Sequence, residues 1–193
     1  MDYRNNIADK ILNLNFTQAG LFGLIVFRRL FPNYQIFNKM YENEFDEDRL
    51  WEIHTQFEEL LTRKHGEGHN SAVLGEEIFD LMPEPGDYDS ILASSALDAS
   101  STLSALNDFL ATKDNKRIVD ISTMAFDTVD MYIQEEENLP ARFDESIIDN
   151  DPLMIKEINF QQKLLEDIKE YGLNVLETYV NLPGSLELRI DEE

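Results

Sequence analysis

Cysteine is absent from this chain. That one gap removes disulfides, thiolate metal sites and thiol nucleophiles together, and it fits a reducing compartment. Histidine is scarce, at three residues, and tryptophan occurs once. Cations are scarce too: 16 lysines and arginines face 39 aspartates and glutamates, a formal net charge of −23. A field of that sign repels nucleic-acid phosphates and anionic lipid, and it favours basic partners or cations. Arg28-Arg29 and the group Lys113, Lys116 and Arg117 are too few and scattered for a nucleic-acid surface. Long apolar runs are also missing. The most apolar stretch, Leu21 to Phe27, stops at Arg28-Arg29, far short of the ~20 residues of a membrane span. The opening MDYRNNIADK lacks the basic and apolar regions of a signal peptide, so the expected location is cytoplasmic. No GxSxG elbow or phosphate-cradling glycine motif occurs; Gly66, Gly68 and Gly75 fit neither spacing nor context.

What remains is ordinary globular material. With 193 residues, 42% of them hydrophobic, the chain can bury a core in one domain spanning 1–193. Its periodicity is helical throughout, and the predicted fold is an all-α multi-helix bundle. At the centre stands a helix over 89–112, where Leu92, Ala96, Ala99, Leu103, Leu106 and Leu110 recur at steps of four and three. Its first half is rich in alanine and serine, which lets neighbouring helices approach closely. Asp87 or Asp89 is its expected cap.

The other segments follow in order. Residues 6–14 make a short helix, and 17–31 a second, almost wholly apolar from Leu21 to Phe27 and therefore buried. Phe31-Pro32 predicts a break and a new helix over 32–43. A further helix over 47–64 turns Leu50, Trp51, His54, Phe57 and Leu61 inward. Another runs from Asn70 or Ser71 to Met82, and Pro83-Glu84-Pro85-Gly86 is a turn. The helix over 116–136 carries two adjacent apolar stripes and pairs with the central helix as an antiparallel hairpin. Residues 134–151 are an exposed acidic connector, with seven carboxylates and one arginine. Asp151-Pro152 opens the last long helix, with Ile155, Ile158, Gln162, Leu165, Ile168 and Leu176 facing inward. A short strand or extended tail over 184–193 closes the chain.

Candidate sites are few. His65-Gly-Glu-Gly-His69 could offer two imidazoles and a carboxylate, but two glycines make a poor frame for fixed ligands, and no metal or cofactor is expected. His54 reads as a hydrogen-bonded core residue. Asp98, on the central helix, can meet Asp127 or Asp130 on the next helix. The plainer alternative is a buried carboxylate paired with Arg29, since burial without a partner is costly.

One resemblance emerges from the residues. Gln18, Phe22 and the run Arg29-Leu30-Phe31-Pro32-Asn33-Tyr34 with Phe37 resemble the start of the YjaG-like bacterial family, a domain of unknown function. Asp87-Tyr88-Asp89, Ala96-Leu97-Asp98-Ala99, Leu103-Ser104-Ala105-Leu106, Val119-Asp120-Ile121-Ser122, Thr128-Val129 and Pro152 follow in order, over about residues 15–180. The resemblance implies an all-helical bacterial protein with no established activity and a loose link to signalling.

The leading expectation is a non-enzymatic, acidic protein-binding module. Its contact residues would be Glu135, Glu136, Glu137, Asp144, Glu145, Asp149 and Asp151, and its partner a basic protein, as for an immunity-type inhibitor of a basic toxin. Two alternatives stand beside it. One is a signalling adaptor for a sensor kinase. The other is a small-ligand or metal-dependent enzyme with a pocket near Arg29, Tyr34 and Asp98.

Overall fold

The computed structural model describes residues 3–62 and 71–186. Its helices are α1 (Tyr3–Leu12), α2 (Phe16–Met40), α3 (Glu47–Thr62), α4 (Ser71–Asp80), α5 (Ile91–Thr112), α6 (Lys116–Glu136), α7 (Ser146–Asp149), α8 (Pro152–Tyr171) and α9 (Val175–Thr178). Single 3₁₀ turns occur at Pro85–Asp87 and Gly172–Asn174, and there is no strand among the described residues. The fold is all-α, around one hydrophobic core. No helix among the described residues is long and apolar enough to cross a membrane.

Two helices cross at the centre. α5 packs against α2, α3, α4 and α6, and its most extensive neighbour is α2. Ala93, Ala96, Ala99, Ser100, Leu103 and Leu106 of α5 are all fully buried. Gly23 shows how closely the helices approach. A Cβ there would lie 3.0 to 3.2 Å from the methyls of Leu106, Ile118 and Ile121, so a hydrogen is what fits between α2, α5 and α6. Asn15 starts α2 through a capping box with Gln18. α5 is capped by Ser90, whose hydroxyl accepts from Leu92 N at 3.2 Å, rather than by Asp87 or Asp89. Lys113, in the left-handed region at φ 59°, turns the chain into α6.

α2 does not break at Pro32. It runs through the proline as a single helix, although an interior proline costs about 3 kcal/mol by propensity. Burial outweighs that preference, because every residue from Ala19 to Phe31 is buried. The missing N–H leaves the Arg28 carbonyl without its helical donor and loosens the next turn. There the Arg29 carbonyl accepts a bond from Ser185 N at 3.1 Å.

The last long helix buries Leu165 and Ile168 as expected, but the rest of its inward face is shifted and more polar. Met154, Glu157, Gln161, Leu164, Leu165 and Ile168 face inward, while Ile155 is exposed. The reason lies on α2. Arg29 is buried at the core boundary and its Nε donates to Glu157 Oε2 at 3.2 Å. Its Nη1 donates to the carbonyls of Pro183 (2.8 Å) and Gly184 (3.3 Å). Gln161 Nε2 donates to Glu157 Oε1 at 3.1 Å, and Ser122 of α6 donates to Gln161 Oε1 at 2.5 Å. A polar chain thus joins α2, α8 and α6 inside the core. Burial pushes the Glu157 carboxyl upward, and Arg29 is the strongest opposing influence. The end of the described chain is tied to the same place: Asn33 Nδ2 donates to Ser185 Oγ at 2.8 Å, and Leu186 is buried. The rest of the expected tail, 187–193, lies outside the described residues.

Removing one member of a buried pair strands the other, which costs about 3–5 kcal/mol. Glu157→Ala is expected to lose that much stability in urea unfolding at neutral pH. Glu157→Gln, which keeps an acceptor for Arg29, is expected to lose less. A Glu157→Ala midpoint at the wild-type value would show that the pair is not holding α8.

Candidate functional site

Of the acidic residues of 134–151, Glu136, Glu137 and Asp151 come together where α6 stops and α8 begins. α6 carries helical geometry through Glu136, and Asn138 in the left-handed region (φ 49°) ends it. Glu135, Glu136 and Glu137 therefore stand exposed at the C-terminal end of a helix with no basic residue in its last turn. That end carries the negative pole of the helix dipole, so the charges add. The connector then folds rather than trailing loose. Asp144 accepts from Ser146 N at 2.9 Å at the start of α7, and this bond holds its carboxyl below the usual range. Asp151 caps α8 by accepting from Leu153 N at 2.7 Å.

Two hollows result. Glu136, Glu137 and Asp151 share one of about 270 Å³ with Tyr132, Ile133, Pro152 and Leu153. Glu145 and Asp149 line another of about 340 Å³, beside Tyr3, Arg4, Asp130 and Phe143. The bundle's ion pairs use other carboxylates, although the Arg4–Asp130 pair borders the hollow of Glu145 and Asp149. Arg4 holds Asp127 (2.6 Å) and Asp130 (3.2 Å), Arg28 holds Glu58, Arg49 holds Glu77, and Lys163 holds Asp167 (2.7 Å). Among the described residues, none of the seven is fixed in an ion pair.

The proposed trio Arg29, Tyr34 and Asp98 does not assemble. Arg29 pairs with Glu157, not with Asp98. Tyr34 is fully buried and donates its hydroxyl to the Leu81 carbonyl at 2.7 Å, and burial raises its pKa. Asp98 accepts from Thr128 Oγ1 at 2.7 Å. Burial raises the Asp98 carboxyl to about 6, against the pull of the Thr128 bond, and the nearby Asp127 charge adds to the rise. Asp127 and Asp130 do not join Asp98 as ligands, because Arg4 occupies them. No cluster of three or more histidines and carboxylates suited to a metal occurs among the described residues.

His54 is buried, stacked against Phe27 (5.1 Å) and Trp51 (4.7 Å). Neither ring nitrogen has a hydrogen-bond partner of ordinary geometry. Burial and then the Arg28 charge lower its pKa to about 3, with a weak opposing contribution from the Leu24 backbone. It is a neutral aromatic core residue. His65 and His69 lie outside the described residues.

Trp51 was expected inward but sits at the rim, 37% exposed. With Arg28, Phe31, Asp48, Val180 and Leu182 it lines a groove of about 440 Å³ between α2, α3 and the stretch after α9. The stretch after α9 has no periodic signal, which is why spacing could not disclose this groove.

Residues 6–182 match the family described as "Protein of unknown function (DUF416)". This chain belongs to the DUF416 family. Its fold is similar to the crystal structure of a DUF416 family protein from Shewanella baltica OS155. The two share 26% identity and a TM-score of 0.80, over 90% of each chain. No curated protein matches the chain. DUF416 membership accounts for the helical architecture and assigns no chemistry to any residue.

Asp98 supplies a test of the interior of this DUF416 chain. Its folded pKa of about 6 lies above the reference 3.8. The fold thus binds the proton more tightly than the unfolded chain does. That contribution is complete below about pH 4 and is lost as the pH rises through 6. After allowance for partial exposure it is worth about 2 kcal/mol. Asp98→Asn is therefore expected to be more stable than wild type at pH 7.5 and to approach it at pH 4. Unfolding midpoints at the two values measure this, and a pH-independent difference would contradict the assignment.

Proposed function

We propose that this protein is a non-enzymatic binding module whose acidic end receives a basic protein. The observation that carries the reading is the placement of Glu135, Glu136 and Glu137 on the negative pole of α6 without a compensating cation. Carboxylates at a helix C-terminus are unfavourable by about 0.3–1 kcal/mol each. A basic surface docking there relieves that repulsion, and opposite charge speeds encounter. Asp144, Glu145, Asp149 and Asp151 follow in the same connector and would add to the contact. An immunity-type inhibitor of a basic toxin is the most specific form of this reading. A signalling adaptor would use the same face for a different partner. The narrower YjaG-like kinship, carried by the run from Arg29 to Tyr34, belongs to this proposal as well.

The test is affinity capture from native lysate at low and high salt, comparing wild type with the variant Glu135→Gln/Glu136→Gln/Glu137→Gln. One basic protein, recovered in near-equal amount, lost in high salt and lost by the variant, is the expected result. Capture that ignores both salt and the variant would overturn it.

A further inference from the structure

The stretch after α9 is fastened to the bundle mainly through its backbone. Its pivot is Tyr179, whose hydroxyl donates to Asp167 Oδ2 at 2.7 Å and whose ring meets Phe160 edge-on at 6.0 Å. From there residues 180–186 cross one turn of α2. Arg29 Nη1 donates to the Pro183 and Gly184 carbonyls, Ser185 N donates to the Arg29 carbonyl, and Asn33 Nδ2 donates to Ser185 Oγ. Gly184 lies so close to α2 that a Cβ would stand 3.1 Å from the Pro32 Cβ. This is the turn that Pro32 loosens, so the stretch docks where the helix has a carbonyl to offer. Apolar burial adds little. Val180 is 55% exposed, Asn181 and Pro183 are exposed, Leu182 is half-buried, and Leu186 is the one buried apolar side chain of the seven residues.

The charges beneath do not depend on this stretch. Arg29 keeps Glu157 of α8, and Arg28 keeps Glu58 of α3 together with the carbonyls of Leu176 and Tyr179, which lie at or before the pivot. Lifting residues 180–186 therefore strands no buried charge, which is the costly event in a core. It exchanges a few hydrogen bonds for bonds to water and uncovers Leu186. Val180 and Leu182 also form one wall of the groove at Trp51, whose other walls, Arg28, Phe31 and Asp48, belong to α2 and α3. We propose that residues 180–186 are a releasable strap, which swings about Tyr179 and widens the Trp51 groove while helices α1 to α8 stay folded. The position of the strap then sets the size of the groove and the access of solvent to the Arg29 side chain.

A chain without cysteine allows a direct test. Ser185→Cys exchanges a buried oxygen for sulfur under the strap, and Ser100→Cys does the same in the middle of α5; both serines are at most 1% exposed. Labelling each full-length variant with a thiol reagent, in native buffer and at low urea, reads the opening that exposes that site. Ser185→Cys is expected to label at least about a hundredfold faster than Ser100→Cys. Its rate is expected to change little with urea below the unfolding transition, because lifting the strap exposes little surface. Equal rates with the same steep urea dependence would overturn the proposal, since strap and bundle would then open together. Gly184→Val crowds Pro32 and is expected to push the strap outward. It is expected to raise both the labelling of Ser185→Cys and the acrylamide quenching of Trp51, the single tryptophan, with helical circular dichroism unchanged. Either reading left at its starting value, or a loss of helicity, would overturn the proposal as well.

Discussion

The contact on which the most else depends is the buried pair between Arg29 and Glu157. Neither group could enter the core alone, since an isolated buried charge is far costlier than any apolar packing it displaces. Together, with Gln161 and the carbonyls of Pro183 and Gly184, both Glu157 oxygens and the Arg29 Nε and Nη1 are engaged. The pair sets the rotation of α8, because Glu157 must face α2. It also fixes where the chain goes after α9, because two of the Arg29 bonds end on that stretch. Hydrophobic burial drives the collapse of the bundle; this pair helps decide which collapsed arrangement is adopted.

Proline and charge are where residue spacing misled. The apolar stripes of α5 and α6 were legible because most of their buried residues are alanine, leucine, isoleucine, valine and phenylalanine, with small serines and threonines between them. The inward face of α8 was legible only at Leu165 and Ile168, because it also passes through Glu157 and Gln161, and hydrophobic periodicity discounts polar positions. Met154, Glu157, Gln161, Leu164 and Ile168 do repeat at steps of three and four; the signal was present but depended on a partner on another helix. Pro32 misled for a related reason. The preference against a preceding helical residue is local, and α2 is buried all round. Arg29 was rightly expected to be paired in the interior, with the wrong carboxylate. Its true partner is 128 residues away in sequence and no single-chain pattern links the two.

The distribution of charge is more telling than its total. Arg4, Arg28, Arg29 and Arg49 are spent inside the bundle's own ion pairs, on Asp127, Asp130, Glu58, Glu157 and Glu77. The excess of carboxylates is thereby left on the surface, most densely at the α6 terminus and its connector. A surface charged merely for solubility would spread both signs evenly. Here Glu136, Glu137 and Asp151 share a concave surface with Tyr132, Ile133, Pro152 and Leu153.

The tie between Arg29 and the far end of the chain also has a meaning in time. On the ribosome, α2 emerges early, and its guanidinium at position 29 has nothing to neutralise it within the core until residue 157 appears. Helices α2 to α6 can collapse before then, but Arg29 must stay hydrated or leave a gap, because burying it unpaired is too costly. Closure of that part of the core therefore waits for α8. Vectorial synthesis alone thus delays that docking until more than a hundred residues beyond Arg29 are available, and it holds the nascent bundle open at one seam.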